Sequence, residues 1–231
     1  EVTEHLRSSA GFDTLAVVEV DATGDRTVVV GSDEATHWEL GSITKTFTAH
    51  LLADAVERGE VSLTDPLEQH LPELVGTDVG ETTLVDLATH HAGLPRLLPS
   101  EAARAPLAAL TLRDPYRATT EEMLEEVRTV EVAKPGDYVY SNLGAALLGH
   151  ALARAAGTPD WGALVQGRLL EPLGMQDTVF AATAAQIPAD RVQGHQPNGR
   201  HPHPWAAEGG LPAGVGTWTT VADMSRYASA V

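Results

Sequence analysis

The sequence contains no cysteine, which excludes disulfides, thiolate metal ligands and a cysteine nucleophile. Basic residues are scarce: 15 Lys and Arg face 32 Asp and Glu, giving a formal charge of -17 over 231 residues and a pI near 4.8. Such a surface repels phosphate backbones and anionic headgroups, which argues against nucleic acid and membrane surfaces as partners. No apolar run approaches the roughly 20 residues of a spanning helix, so no membrane insertion is expected. Residues 1–7 lack a basic flank ahead of a hydrophobic stretch, so no targeting signal is read in them. Because the chain opens on Glu1 rather than Met, that reading leaves the compartment open. There is no Gly-x-Ser-x-Gly elbow, against an α/β-hydrolase route to serine chemistry, and no glycine loop to cradle a phosphate. What is present is 43% apolar and 20% charged residues, enough for a folded protein with one large core or two lobes sharing a cleft.

Two Val-rich runs, residues 14–20 and 26–30, flank Asp21-Ala22-Thr23-Gly24-Asp25, whose Asp and Gly turn chemistry predicts a β-hairpin. Residues 1–10 read as the end of a helix. From Ser42 the period changes: Ile43, Phe47, Leu51, Leu52, Ala55 and Val56 recur at helical spacing and Gly59 supplies a stop, predicting one amphipathic helix of about 16 residues. Asp65-Pro66 and Leu71-Pro72 break residues 61–74 into turns and short helical pieces. Helical patterns follow over 83–88, 119–127, 143–156 and 161–170. Residues 181–205, interrupted by Pro188, Pro197, Pro202 and Pro204, read as loop. A last helix begins at Val221, with Asp223 in its first turn. A lone two-stranded hairpin is marginal in water, so further strands or helices are expected to cover this one.

Of the 15 basic residues 13 are Arg, leaving only Lys45 and Lys134 as lysines. Lys45 follows Ser42 by three positions, and on a helix residues i and i+3 share a face. Its amine can then reach the Ser42 hydroxyl and, if burial or positive potential lowers its pKa, take the proton that makes serine a nucleophile. The first turn adds unpaired N–H groups and the positive end of the helix dipole. Nine serines and two lysines in this length yield a chance Ser-x-x-Lys about 0.08 times, a signal short of proof. The plain alternative is an N-cap serine beside a solvated lysine. A second segment, Lys134-Pro135-Gly136-Asp137-Tyr138-Val139-Tyr140-Ser141-Asn142-Leu143-Gly144, runs from a Pro-Gly turn into a helix start, which suits holding Tyr140 and Asn142 at a cleft edge. For these two the alternatives are a half-buried aromatic and an N-cap. His201-Pro202-His203-Pro204 lacks a nearby carboxylate pair and gives no closed metal site. His90 and His91 read as structural, one buried and hydrogen-bonded, the other solvated.

Ser42-Ile43-Thr44-Lys45, followed roughly a hundred residues later by Tyr140-Ser141-Asn142, resembles the penicillin-recognising serine hydrolases: class C β-lactamases, their esterase relatives and D-alanyl-D-alanine carboxypeptidases. Three further segments are similar to that family's motifs in the same order: Leu87-Ala88-Thr89-His90-His91-Ala92-Gly93-Leu94-Pro95, Glu171-Pro172-Leu173-Gly174-Met175-Gln176-Asp177-Thr178, and the stretch from Ala213 to Met224, with Val215 extra and Thr219 in place of Ser. The resemblance implies an α/β (α+β) β-lactamase/transpeptidase-like fold with two lobes, residues 1–64 and 205–231 forming an incomplete sheet lobe and 65–204 a mostly helical one. It implies catalysis by Ser42 as the acylated nucleophile, with Lys45 and Tyr140 sharing proton transfer and Asn142 binding the substrate amide and helping to position Lys45. No cofactor or metal is implied. The substrate is a small molecule or peptide, namely a β-lactam, a small ester or a D-Ala-D-Ala-type stem peptide, and an extracytoplasmic location is favoured. Oligomeric state is left open, and so is which of Lys45 and Tyr140 is the first base.

The chain also departs from the family. Members carry a third motif, Lys or His followed by a small residue and Gly, on a strand near the C-terminus, and no match follows Trp218. His91-Ala92-Gly93 and Lys134-Pro135-Gly136 have the composition but belong to other segments. These residues are therefore expected to be part of a longer hydrolase whose later strands complete the sheet. Taken alone they are expected to be weakly active, or to act as a non-catalytic binding module of the same cleft.

Overall fold

The computed structural model describes residues 13–113, 116, 118–196, 199–206 and 216–231. The helix expected over residues 1–10, Pro197, and residues 213–215 of the motif preceding Trp218 lie outside the described residues.

The hairpin is formed by β1 (Leu15–Asp21) and β2 (Gly24–Val30), antiparallel, with Leu15 opposite Val30 and Asp21 opposite Gly24. Asp21 closes its turn by accepting the N–H and hydroxyl of Thr23, an Asx turn. Three shorter strands, β3 (Trp38–Glu39), β4 (Val179–Phe180) and β5 (Thr217–Thr219), form a separate antiparallel sheet in the order β3-β5-β4. The helices are α1 (Thr44–Glu57), entered through a 3-10 turn at Gly41–Ile43, then α2 (Leu84–Ala88), α3 (Pro99–Thr111), α4 (Thr120–Val127) and α5 (Asn142–Ala155). They continue with α6 (Trp161–Val165), extended by a π-helical turn at Gln166–Leu170, and α7 (Val221–Ala230). None of them is long and apolar enough to cross a membrane.

The core sits where α1, α2, α5 and α6 meet. Helix α5 is buried around almost its whole circumference, which its run of Leu, Ala and Gly permits. Phe47, Leu51, Leu84, Leu87, Leu143, Leu147 and Trp161 are essentially inaccessible. Burying side chains of this size contributes about 1.5–3 kcal/mol each before entropy is counted. Trp161 meets Phe180 of β4 edge-on at 5.2 Å, tying the short sheet to the helices.

One sequence expectation about the hairpin holds, and two about the helices differ. As expected, a helix covers the hairpin: among the described residues no strand extends it, and α7 lies across both of its strands, with Ser225 donating to Asp25 at 2.5 Å. The N-cap of α5 is Ser141, whose Oγ accepts the Gly144 N–H at 2.8 Å, so Asn142 is the first helical residue rather than the cap. Ile43, placed on the apolar stripe of α1 by its spacing, is 49% exposed, because the 3-10 turn before Thr44 rotates it out of the α-helical register.

Candidate active site

Ser42 is set by the chain leaving β3. The Leu40 N–H donates to Thr217 O of β5 at 2.9 Å, Gly41 turns with φ +53, and the 3-10 turn then opens α1. Gly supplies that left-handed geometry without strain. One turn later Lys45 places Nζ 3.2 Å from Ser42 Oγ. From the far side of the cleft the Tyr140 hydroxyl donates to the same Oγ at 2.7 Å. Lys45 Nζ stands 5.0 Å from the centre of the Tyr140 ring and the Arg96 guanidinium 5.3 Å from it. The structure thus brings Ser42, Lys45 and Tyr140 together.

Tyr140 is delivered by two segments that pair along their backbones. Ala133 N–H donates to Gly93 O, Gly136 N–H to His91 O and Val139 N–H to His90 O, all at 2.8–2.9 Å. Gly93, at φ +69, admits this approach: a Cβ there would lie 2.5 Å from Ala133 O. Ser141 then donates to Pro95 O at 2.6 Å while capping α5. The middle residue of Tyr140-Ser141-Asn142 is therefore a structural pin.

Asn142 is buried, its Nδ2 donating to the Tyr116 hydroxyl at 2.9 Å, and its Oδ1 has no hydrogen-bond partner among the described residues. It lines, with Ser42, Arg96, Arg191, Trp38 and Trp218, a cavity of about 540 Å³. A buried polar atom without a partner costs about 1–3 kcal/mol, so Oδ1 is an acceptor whose capacity is unused among the described residues.

Burial pushes the Lys45 ammonium below the ordinary lysine range, Tyr140 opposing it and the Arg96 charge assisting. For the Tyr140 phenol, burial pushes upward, but hydrogen bonds with Lys45 and Ser42 and the charges of Lys45 and Arg96 outweigh it, leaving the phenol below the ordinary tyrosine range. A cluster whose members are displaced by desolvation and by one another is a hallmark of functional sites.

Sequence reasoning missed Tyr116, Arg96, Arg191 and the two tryptophans of the cavity. Contacts between distant segments leave no local pattern in the sequence by which these residues could be read. Of the two histidines expected to be structural, both are partly buried; His90 touches Tyr140, with ring centroids 4.6 Å apart. His201 and His203 are exposed.

In a body of helices and two small sheets, a Ser-x-x-Lys turn faces a Tyr-x-Asn segment across one cavity. The profile of the Beta-lactamase family matches residues 10–231, and the chain belongs to that family. Among curated relatives it is 35% identical over 155 residues to the D-alanyl-D-alanine-carboxypeptidase/endopeptidase AmpH of Escherichia coli strain K12, covering 64% of this chain and 37% of that protein. It is 30% identical over 198 residues to a Beta-lactamase of Pseudomonas fluorescens, covering 84% and 50%. The chain therefore spans half or less of the length of these relatives. Among solved structures, a class C β-lactamase superposes with a TM-score of 0.81 at 22% identity, covering 97% of this chain and 61% of the other. Another, from Rhodobacter sphaeroides, gives 0.77 at 26% identity, covering 97% and 62%.

Proposed function

We propose that this protein is a serine hydrolase that forms an acyl-enzyme on Ser42, with Lys45 and Tyr140 as a shared acid and base. The observation that carries the reading is the pair of contacts on one hydroxyl, 2.7 Å from Tyr140 and 3.2 Å from Lys45. Either partner in its deprotonated form reverses its contact and accepts the Ser42 proton. The Ser42 oxygen then bonds to the substrate carbonyl carbon. Collapse of the tetrahedral species breaks the bond to an amine or alcohol, which takes up the proton held by the Lys45–Tyr140 pair and departs, or, in a β-lactam, stays tethered in the opened ring. Water attacks the acyl carbonyl and passes a proton to the same pair, which returns it to Ser42 Oγ as the acyl–oxygen bond breaks, releasing a carboxylic acid and free Ser42. The pair acts as one coupled unit, so its apparent pKa values belong to both residues.

Asn142, with its buried unpartnered Oδ1, fits the role of accepting a substrate amide N–H. The substrate is a β-lactam, a small ester or a D-Ala-D-Ala-type peptide, all of which present a carbonyl bearing an amine or alcohol leaving group. The names of the curated relatives, a carboxypeptidase/endopeptidase and a β-lactamase, support the peptide and β-lactam members of that range.

Incubation with a fluorescent penicillin and with a fluorophosphonate tests the proposal. Covalent labelling of the wild type, lost in Ser42→Ala, is expected. Absence of label on correctly folded protein overturns it and leaves a cleft that binds without reacting.

A further inference from the structure

We infer that His90 is the positioning residue for Tyr140, holding the phenol on Ser42 by gripping the chain on both sides of it; this rests on the acyl-transfer reading above. The His90 carbonyl accepts the N–H of Val139 at 2.8 Å, and its Nδ1 lies 3.2 Å from the N–H of Ser141. Tyr140 is the residue between those two. Its ring lies on the imidazole, with centroids 4.6 Å apart and planes at 46°. His90 achieves this double grip from a left-handed backbone, φ 63, a conformation uncommon outside glycine and tolerated by His, Asn and Asp.

The geometry also fixes the tautomer. A backbone N–H can only donate, so Nδ1 carries the lone pair and the ring proton resides on Nε2. Protonation of Nδ1 removes the acceptor for Ser141 and adds a cation to a site that already holds two. The charged and titratable groups around the imidazole are Lys45 from α1, Tyr138 and Tyr140 from the delivering segment, and His91 and Arg96 from its own loop. Burial, then the Lys45 charge, then His91 hold the imidazole below its ordinary range. The gripping form therefore prevails at neutral pH and is lost on acidification.

Two variants separate the grip from mere packing. His90→Phe keeps a ring against Tyr140 and removes the acceptor. His90→Asn restores a side-chain oxygen and suits the left-handed backbone. With ¹³C-labelled tyrosine, the Tyr140 signal, assigned by its loss in Tyr140→Phe, titrates at higher pH in His90→Phe than in the wild type and moves back in His90→Asn. The penicillin acylation rate of His90→Phe falls about ten- to a hundred-fold with little change in half-saturating probe concentration, and His90→Phe adds no further loss in a Tyr140→Phe background. An unchanged Tyr140 titration in folded His90→Phe, or additive losses in the double variant, overturns the inference. Nitrogen NMR of the wild type covers the case in which His90→Phe does not fold: a protonated Nδ1 at neutral pH is equally fatal. Because the tyrosine and nitrogen measurements need no turnover, they stand even if Ser42 proves unreactive.

Discussion

A serine hydroxyl near neutral pH is a poor nucleophile, and the remedy proposed for Ser42 is the protonation state of its two neighbours. Lys45 and Tyr140 both sit below their ordinary ranges, the first chiefly through burial, the second because hydrogen bonds and neighbouring cations overcome burial. A lowered lysine and a lowered tyrosine each deprotonate earlier as pH rises, so the base form of the pair grows with pH. The rate of Ser42 labelling is expected to climb along an alkaline limb that lies below the range of free tyrosine or lysine. Lys45→Met deletes the donor and the charge that depress the phenol, so the limb moves to higher pH and the rate at neutral pH falls about 10²- to 10⁴-fold. Tyr140→Phe loses a similar factor. Rate profiles of penicillin labelling measure both, and a limb that stays in place in Lys45→Met would show that Lys45 does not govern the phenol.

At the scale of elements, the site depends on the pairing of residues 90–93 with 133–139, and Gly93 is its tightest point. Gly93→Ala puts a Cβ 2.5 Å from Ala133 O at a backbone φ of +69, a strain of about 1–3 kcal/mol. Urea unfolding should show that loss, with Ser42 labelling slowed in parallel. Gly194→Ala, where an added Cβ meets nothing within 4 Å and no positive φ is involved, should leave stability unchanged. This motif glycine was recognisable in the sequence, but its partner was not, since Ala133 is 40 positions away in a segment with no periodicity. The same contrast runs through the fold. Helices α1, α2, α4 and α5 were legible because apolar spacing continues for a turn or more and caps such as Thr83 and Thr119 announce their starts. Strands β3, β4 and β5 were not, because two or three residues are too few to display alternation. Helix α3 was hidden by Pro99 and Pro106 and by exposed Leu107 and Leu110, which blur any inward-facing stripe. Ser42, Lys45 and Tyr140 could be named from spacing and resemblance, whereas the Arg96 and His90 that surround Tyr140 depended on the folded pairing of loops.

Across the whole molecule, α7 joins parts of the chain that are far apart in sequence. Asp223, fully buried, accepts the Asp177 N–H at 2.9 Å, the Thr178 hydroxyl at 2.8 Å and Arg226 at 2.6 Å. This links the Met175-Gln176-Asp177-Thr178 motif to the stretch ending at Met224. Asp223→Ala leaves those donors without an acceptor and should cost about 2–4 kcal/mol, read as a lower urea midpoint. The same helix sets Tyr227 edge-on to Phe47 at 4.6 Å and lets its hydroxyl donate to Thr46 at 3.1 Å, next door to Lys45. A ribosome making this chain extrudes the hairpin and the nucleophile early, and the helix that clamps both must wait for residues 221–230. Closing a loop of that span is slow, so Ser42 leaves the ribosome well before the brace behind it can form.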